Sequence, residues 1–139
     1  MKQDGFTLIE LMVTIVVIAI IATMATPSFV SQIRKNQLNN AAHEVMLVAS
    51  EIRSEAILRK KGKTLSLVSS VTGADGSWSP SEHVVWVVAP SLLEYNYFGY
   101  LVGANQCFIL EHVKDDSLKA VIQFNANGSV LYKKNQTAC

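Results

Sequence analysis

The chain has 139 residues, half of them hydrophobic and 17% charged, with a formal net charge of +1. That length leaves room for one small globular domain beside any anchor. A charge so close to zero excludes a whole-molecule attraction to nucleic acid or anionic lipid, so binding of that kind has to come from a local patch.

The chain opens on a short polar leader, Met1-Lys2-Gln3-Asp4-Gly5. From residue 6 to residue 25 there is no Gly, no Pro and one ionisable side chain, Glu10. A run of that length and composition predicts a bilayer-spanning helix. In an ordinary secretory signal the small-residue cleavage site follows the apolar stretch. Here the small residue, Gly5, comes first, and no A-x-A site with a polar start follows. The predicted processing therefore removes residues 1–5 and retains the helix. A carboxylate within that helix costs about 2.5–3.5 kcal/mol on insertion scales, so Glu10 needs a partner or a function. A cut after Gly5 would create an α-ammonium on Phe6, one helical turn before Glu10. The two charges can then pair within one chain or between neighbouring helices.

Gly5-Phe6-Thr7-Leu8-Ile9-Glu10 resembles the processing motif, a class III prepilin leader, of type IV pilins and type II secretion pseudopilins. The resemblance implies a prepilin peptidase that cuts after Gly5 on the cytoplasmic side and N-methylates Phe6. It also implies that Glu10 neutralises the terminal amine of a neighbour in a growing filament. One departure is the flank: only Lys2 stands against Asp4, so membrane orientation rests on the cleavage motif more than on charge.

Pro27 predicts a bend without an end, because a helical pattern resumes at once. Leu38, Ala42, Val45, Ala49, Ile52 and Ala56 recur at steps of four and three, one face of an amphipathic helix. Arg34, Lys35, Asn39, His43, Glu51 and Arg53 fall largely off that stripe, and Glu55–Arg59 is a favourable four-residue pair. The helix is expected to stop near Lys61-Gly62. Strands are predicted at 64–71, 84–88, 108–113, 118–124 and 129–133, with a hairpin around Asn127-Gly128. Asp75-Gly76-Ser77 and Pro90-Ser91 read as loops, and residues 92–106 as an irregular excursion.

Arg53-Ser54-Glu55-Ala56-Ile57, Trp78 and Ile122-Gln123-Phe124 before Asn127-Gly128 are similar to the minor-pilin and pseudopilin group of FimT, FimU and GspH. The departure is Ser81-Glu82-His83, where a Gly-Trp pair commonly opens the strand. The implied fold class is α+β: a type IV pilin-like long helix on a small, mainly antiparallel β domain. The expected organisation is leader 1–5, transmembrane or filament-core helix 6–28, amphipathic continuation 29–61 and β domain 62–139. The implied location is the bacterial inner membrane, single-pass with the domain in the periplasm, then a pilus or pseudopilus.

Cys107 and Cys139 form no C-x-x-C pair, which disfavours zinc or a redox motif. In an oxidising periplasm they can join as a disulfide, the alternative being two free thiols. His43, His83 and His112 match no metal-ligand spacing and are expected to be solvated, as are Asp115 and Asp116. No catalytic motif occurs, so the expectation is no enzyme, no cofactor, no metal and no small-molecule substrate. Arg59, Lys60, Lys61 and Lys63 cluster at the helix end, and Lys133 and Lys134 lie near the C-terminus. The first cluster complements a helix C-terminus. The alternative is sequence-independent contact with DNA phosphates, which the resemblance supports because some FimT-like pilins take up DNA through basic C-terminal regions. The leading expectation is a minor pilin that primes a pilus tip. Its rivals are a GspH-like pseudopilin of a type II secretion system and a DNA-binding pilin.

Overall fold

The computed structural model describes residues 6–68, 71–88, 90, 92–133 and 136–139, with side chains at all of these except 25–27. The chain divides into two compact units, Met1–Ile33 and Arg34–Cys139. Helix α1 (Leu8–Arg59) is followed by seven strands: β1 (Lys63–Ser66), β2 (Gly76–Ser77), β3 (Val84–Trp86), β4 (Leu93–Tyr95), β5 (Gln106–His112), β6 (Asp115–Phe124) and β7 (Val130–Lys133). Helical backbone continues through Pro27. The leader with Gly5, residues 69–70 of the predicted first strand, Ser91 and Lys134 lie outside the described residues.

In the second unit the stripe of small and branched residues on α1 becomes the floor of the core. Leu38, Ala42, Val45, Ala49, Ile52 and Ala56 are all buried, joined by Ala41. Each Leu, Val or Ile withdrawn from water there contributes about 1.5–3 kcal/mol, while the alanines let strands approach the helix backbone. The helix ends at Arg59, and the next residue, Lys60, takes a left-handed conformation (φ 50°). The Lys61 N–H then returns to the Ala56 carbonyl at 3.1 Å. The expected glycine stop at Gly62 is thus replaced by a lysine in the αL position. The closing hydrogen bond has to offset roughly 1–2 kcal/mol of steric cost.

The strands form two sheets, in the orders β2-β1-β4 and β3-β5-β6-β7. The four-stranded sheet is antiparallel throughout, with a register shift between Glu111 and His112. In the three-stranded sheet β1 pairs antiparallel with β4 and parallel with β2. The predicted strand at 64–71 stops at Ser66 because the Ser66 hydroxyl turns back onto the backbone. It donates to the Val68 carbonyl at 3.1 Å and accepts from the Val68 N–H at 3.4 Å. The loop reading of Gly76-Ser77 is corrected to a short strand, positioned by Asp75, whose carboxylate accepts from Thr64 N–H at 2.9 Å. The irregular reading of 92–106 is corrected in part: Leu93 and Tyr95 point into the core and β4 pairs with β1.

Trp78, Trp86, Phe108 and Phe124 run through the core as an edge-to-face series with ring centres 5.6, 6.0 and 5.8 Å apart. Trp86 Nε1 donates to the Leu67 carbonyl at 2.7 Å, tying the two sheets together. Between β6 and β7 the turn is closed by Gly128 N–H to Asn125 O (2.8 Å) and Asn125 N–H to Ser129 O (2.9 Å). Cys107 on β5 is bonded to Cys139, 32 residues along the chain. Closing such a loop contributes about 3–4 kcal/mol on the chain-entropy model.

Candidate functional site

At the start of α1, the Thr7 hydroxyl accepts the Glu10 N–H at 3.3 Å and the Thr7 carbonyl accepts the Leu11 N–H at 3.3 Å. Thr7 is therefore the N-cap and Glu10 the third helical residue, the spacing of a capping box. The sequence reading placed Glu10 opposite a terminal amine and missed this local role, although the T-x-x-E spacing carried the signal. Negative charge in a first helical turn is favoured by the helix dipole as well.

The apolar side chains that follow are exposed. Phe6 is 82% exposed, Leu8 78% and Ile18 64%, and Ile9, Met12, Ile15, Ile20 and Ile21 are also exposed. A helix hydrophobic on all sides belongs in lipid or among other helices. Among the described residues no single helix is long and apolar enough to cross a membrane, and Leu8–Met24 and Ser28–Arg59 meet that test only when taken together. Helical backbone begins at Leu8. Thr14 and Thr23 keep their hydroxyls satisfied inside the helix, donating to the Leu11 and Ile20 carbonyls at 2.8 Å each.

The basic cluster is divided by its neighbours. Lys63 Nζ lies 2.6 Å from Asp75 and 3.7 Å from Glu55, and Arg59 lies 3.5 Å from Glu55. The Lys63 hydrogen bond, helped by the Thr64 N–H, holds the Asp75 carboxyl down at about 2. Lys60 and Lys61 are exposed. Lys133 is half-buried on β7, in register with Val121. Two of the four cations at the helix end are thus already committed to carboxylates.

The histidines are not alike. His43 is exposed and sits edge-on to Tyr132, with ring centres 5.8 Å apart, and His83 lies 3.5 Å from Glu82. His112, expected to be solvated, is buried. Its Nδ1 accepts the Lys114 N–H at 3.1 Å, so its Nε2 carries the proton and donates to Gln37 Oε1 at 3.0 Å. Burial first, then the charge of Arg34, lowers its pKa. Asp115 is held by Ser117, whose hydroxyl donates to it at 2.6 Å, and lies 3.9 Å from Arg34. Among the described residues no group of His, Cys, Asp or Glu is placed to hold a metal ion.

Arg53, read from the sequence as falling largely off the apolar stripe, is half-buried. Its Nε donates to the Gly99 carbonyl at 2.9 Å and its guanidinium reaches the Asn127 carbonyl at 3.4 Å. It thereby joins α1 to the turn after β4 and to the turn between β6 and β7. Gly128 has φ +80°, and any side chain there would meet the Gly99 carbonyl and Arg53 Nε.

The prokaryotic N-terminal methylation motif matches residues 1–26. No curated protein sequence matches the chain. Two solved structures of the type IV minor pilin FimU from Pseudomonas aeruginosa (strain PAO1), in different crystal forms, are similar in fold. One has a TM-score of 0.54 at 15% identity, covering 70% of this chain and 89% of that one. The other has a TM-score of 0.52 at 16% identity, covering 69% and 92%. In its N-terminal motif and in its fold, a long helix on a small antiparallel-rich β domain, this chain is type IV pilin-like.

Proposed function

We propose that the chain is a minor type IV pilin. Prepilin peptidase removes residues 1–5 by cutting after Gly5 and methylates Phe6. Residues 6–28 serve as membrane anchor and then filament core, 29–61 continue the helix, and 62–139 form the domain carried on the periplasmic side. The supporting observation is the juxtaposition of a methylation motif with a helix whose apolar side chains are exposed all round. Such a surface is stable in lipid and stable again among copies of itself, so leaving the bilayer for a bundle exchanges one apolar medium for another. Glu10 then pays its desolvation by pairing with the methylated amine of a neighbouring subunit. The role is assembly at or near a pilus tip, without catalysis.

Capture of DNA has less support, because Arg59 and Lys63 face Glu55 and Asp75. A GspH-like role in type II secretion differs in partners, and co-purification with a secretion channel instead of a surface pilus would reassign the chain. The test compares native protein with Glu10→Ala, by mass spectrometry and in sheared filaments. Both forms are expected to lack the leader and carry a methyl group on Phe6, while the variant is depleted from filaments. An intact leader on the native protein, or wild-type incorporation of the variant, overturns the proposal.

A further inference from the structure

A half-open pocket of about 270 Å³ lies in the second unit, lined by Met46, Ser50, Arg53, Gly128, Ser129 and Val130. The spacing of four and three along α1 puts Met46, Ser50 and Arg53 on one ridge. The β6–β7 turn and the start of β7 form the opposite wall. Two backbone carbonyls hold Arg53 in place, but carbonyl oxygens are neutral. None of the ion pairs among the described residues includes Arg53. A half-buried guanidinium with five donors and no counter-charge is an unusual arrangement, since cations withdrawn from water are ordinarily paired.

We propose that this pocket binds a carboxylate carried on a short hydrocarbon arm. The charge count selects the anion: one guanidinium balances one negative charge, whereas a phosphate near neutral pH brings closer to two. The walls select the arm, since Met46 and Val130 are apolar and hydrated inorganic anions have no affinity for them. The Ser50 hydroxyl lines the same pocket and can donate to a carboxylate oxygen, whereas the Ser129 hydroxyl already donates to Asn127 Oδ1 at 2.7 Å. The volume suits a side chain or a small acid, at roughly 30 Å³ for each displaced water. Fixing the guanidinium in advance lowers the ordering cost of binding. The inference does not rest on filament assembly and holds for the isolated chain.

The test uses the full chain in detergent micelles and follows the Arg53 side-chain N–H and the Gly128 and Ser129 amides by NMR. Butyrate, and separately glutamate blocked as its N-acetyl methylamide, are expected to shift these signals saturably, and inorganic phosphate at equal ionic strength far less. Arg53→Gln, which keeps a donor for the Gly99 carbonyl but not the charge, is expected to lose the response. Met46→Trp fills the pocket without touching the clamp and is expected to lose it too. Photo-crosslinking from position 46 in cells separates the sources: an adduct with an acidic peptide identifies another polypeptide, and a small-molecule adduct identifies a free acid. The proposal is overturned if neither carboxylate gives a saturable shift, if phosphate matches them, or if the folded Met46→Trp chain responds like wild type.

Discussion

The hydroxyl of Tyr95 is buried with no hydrogen-bond partner among the described residues. Burial pushes its pKa up to about 12, against the opposing influence of the Arg53 charge. An unpaired hydroxyl taken out of water costs on the order of 1–3 kcal/mol, so the ring is what the core retains, not the oxygen. Tyr95→Phe is expected to leave stability unchanged or raise it by about 1 kcal/mol, read from urea unfolding of the full chain in detergent. A loss greater than that would mean that the hydroxyl is paired after all. Trp78 and Trp86 illustrate the opposite case. Their Nε1–H groups find Glu44 at 3.2 Å and the Leu67 carbonyl at 2.7 Å, so the buried Trp78 and the half-buried Trp86 both keep the polar handle satisfied.

At the level of elements, His112 fastens the β5–β6 hairpin to α1 through Gln37, and only the neutral ring can do so while also accepting from Lys114. The charged groups around it are Arg34, Lys114, His83 and Asp115, of which only Asp115 favours protonation. The folded pKa therefore lies below the ordinary 6.5. Between those two values the unfolded chain binds more protons, so stability is full above about pH 6.5 and falls as the pH drops through the folded value. Thermal unfolding midpoints measured from pH 7.5 down to pH 5 are expected to decline, and His112→Asn is expected to flatten that decline. An equal slope in the variant would remove His112 from the explanation. The element boundaries also show what local pattern can carry. The α1 stripe was legible because its period of 3.6 runs over many turns. By contrast, β4 has three residues and β2 two, too few to declare a period. Both are stabilised by pairing with β1, and the β2 pairing depends on Asp75 hydrogen-bonding back to Thr64.

For the molecule as a whole, every member of the hydrophobic core, from Leu38 to Phe124, lies in the unit Arg34–Cys139. A fragment of those residues is expected to unfold cooperatively and to remain soluble without detergent, as checked by circular dichroism and sedimentation. Non-cooperative melting would show that the core depends on the preceding residues. The helix-plus-sheet plan and the leader motif could be read from residue order because each is a continuous segment with its own pattern. The environments of His112 and Arg53 could not be read in this way. Their partners Gln37, Gly99 and Asn127 stand 75, 46 and 74 positions away, and no local pattern encodes such meetings.

The glycines bear on how this protein can be labelled. At Gly99 and Gly128 two turns press against each other and against Arg53, so neither tolerates added bulk. Gly73 and Gly103 also have left-handed backbones, but a Cβ at either would find nothing within 4 Å. An epitope or dye-binding tag grafted as an insertion at Gly103, where the new residues can restore the turn, would ride outside the domain without disturbing the interlock.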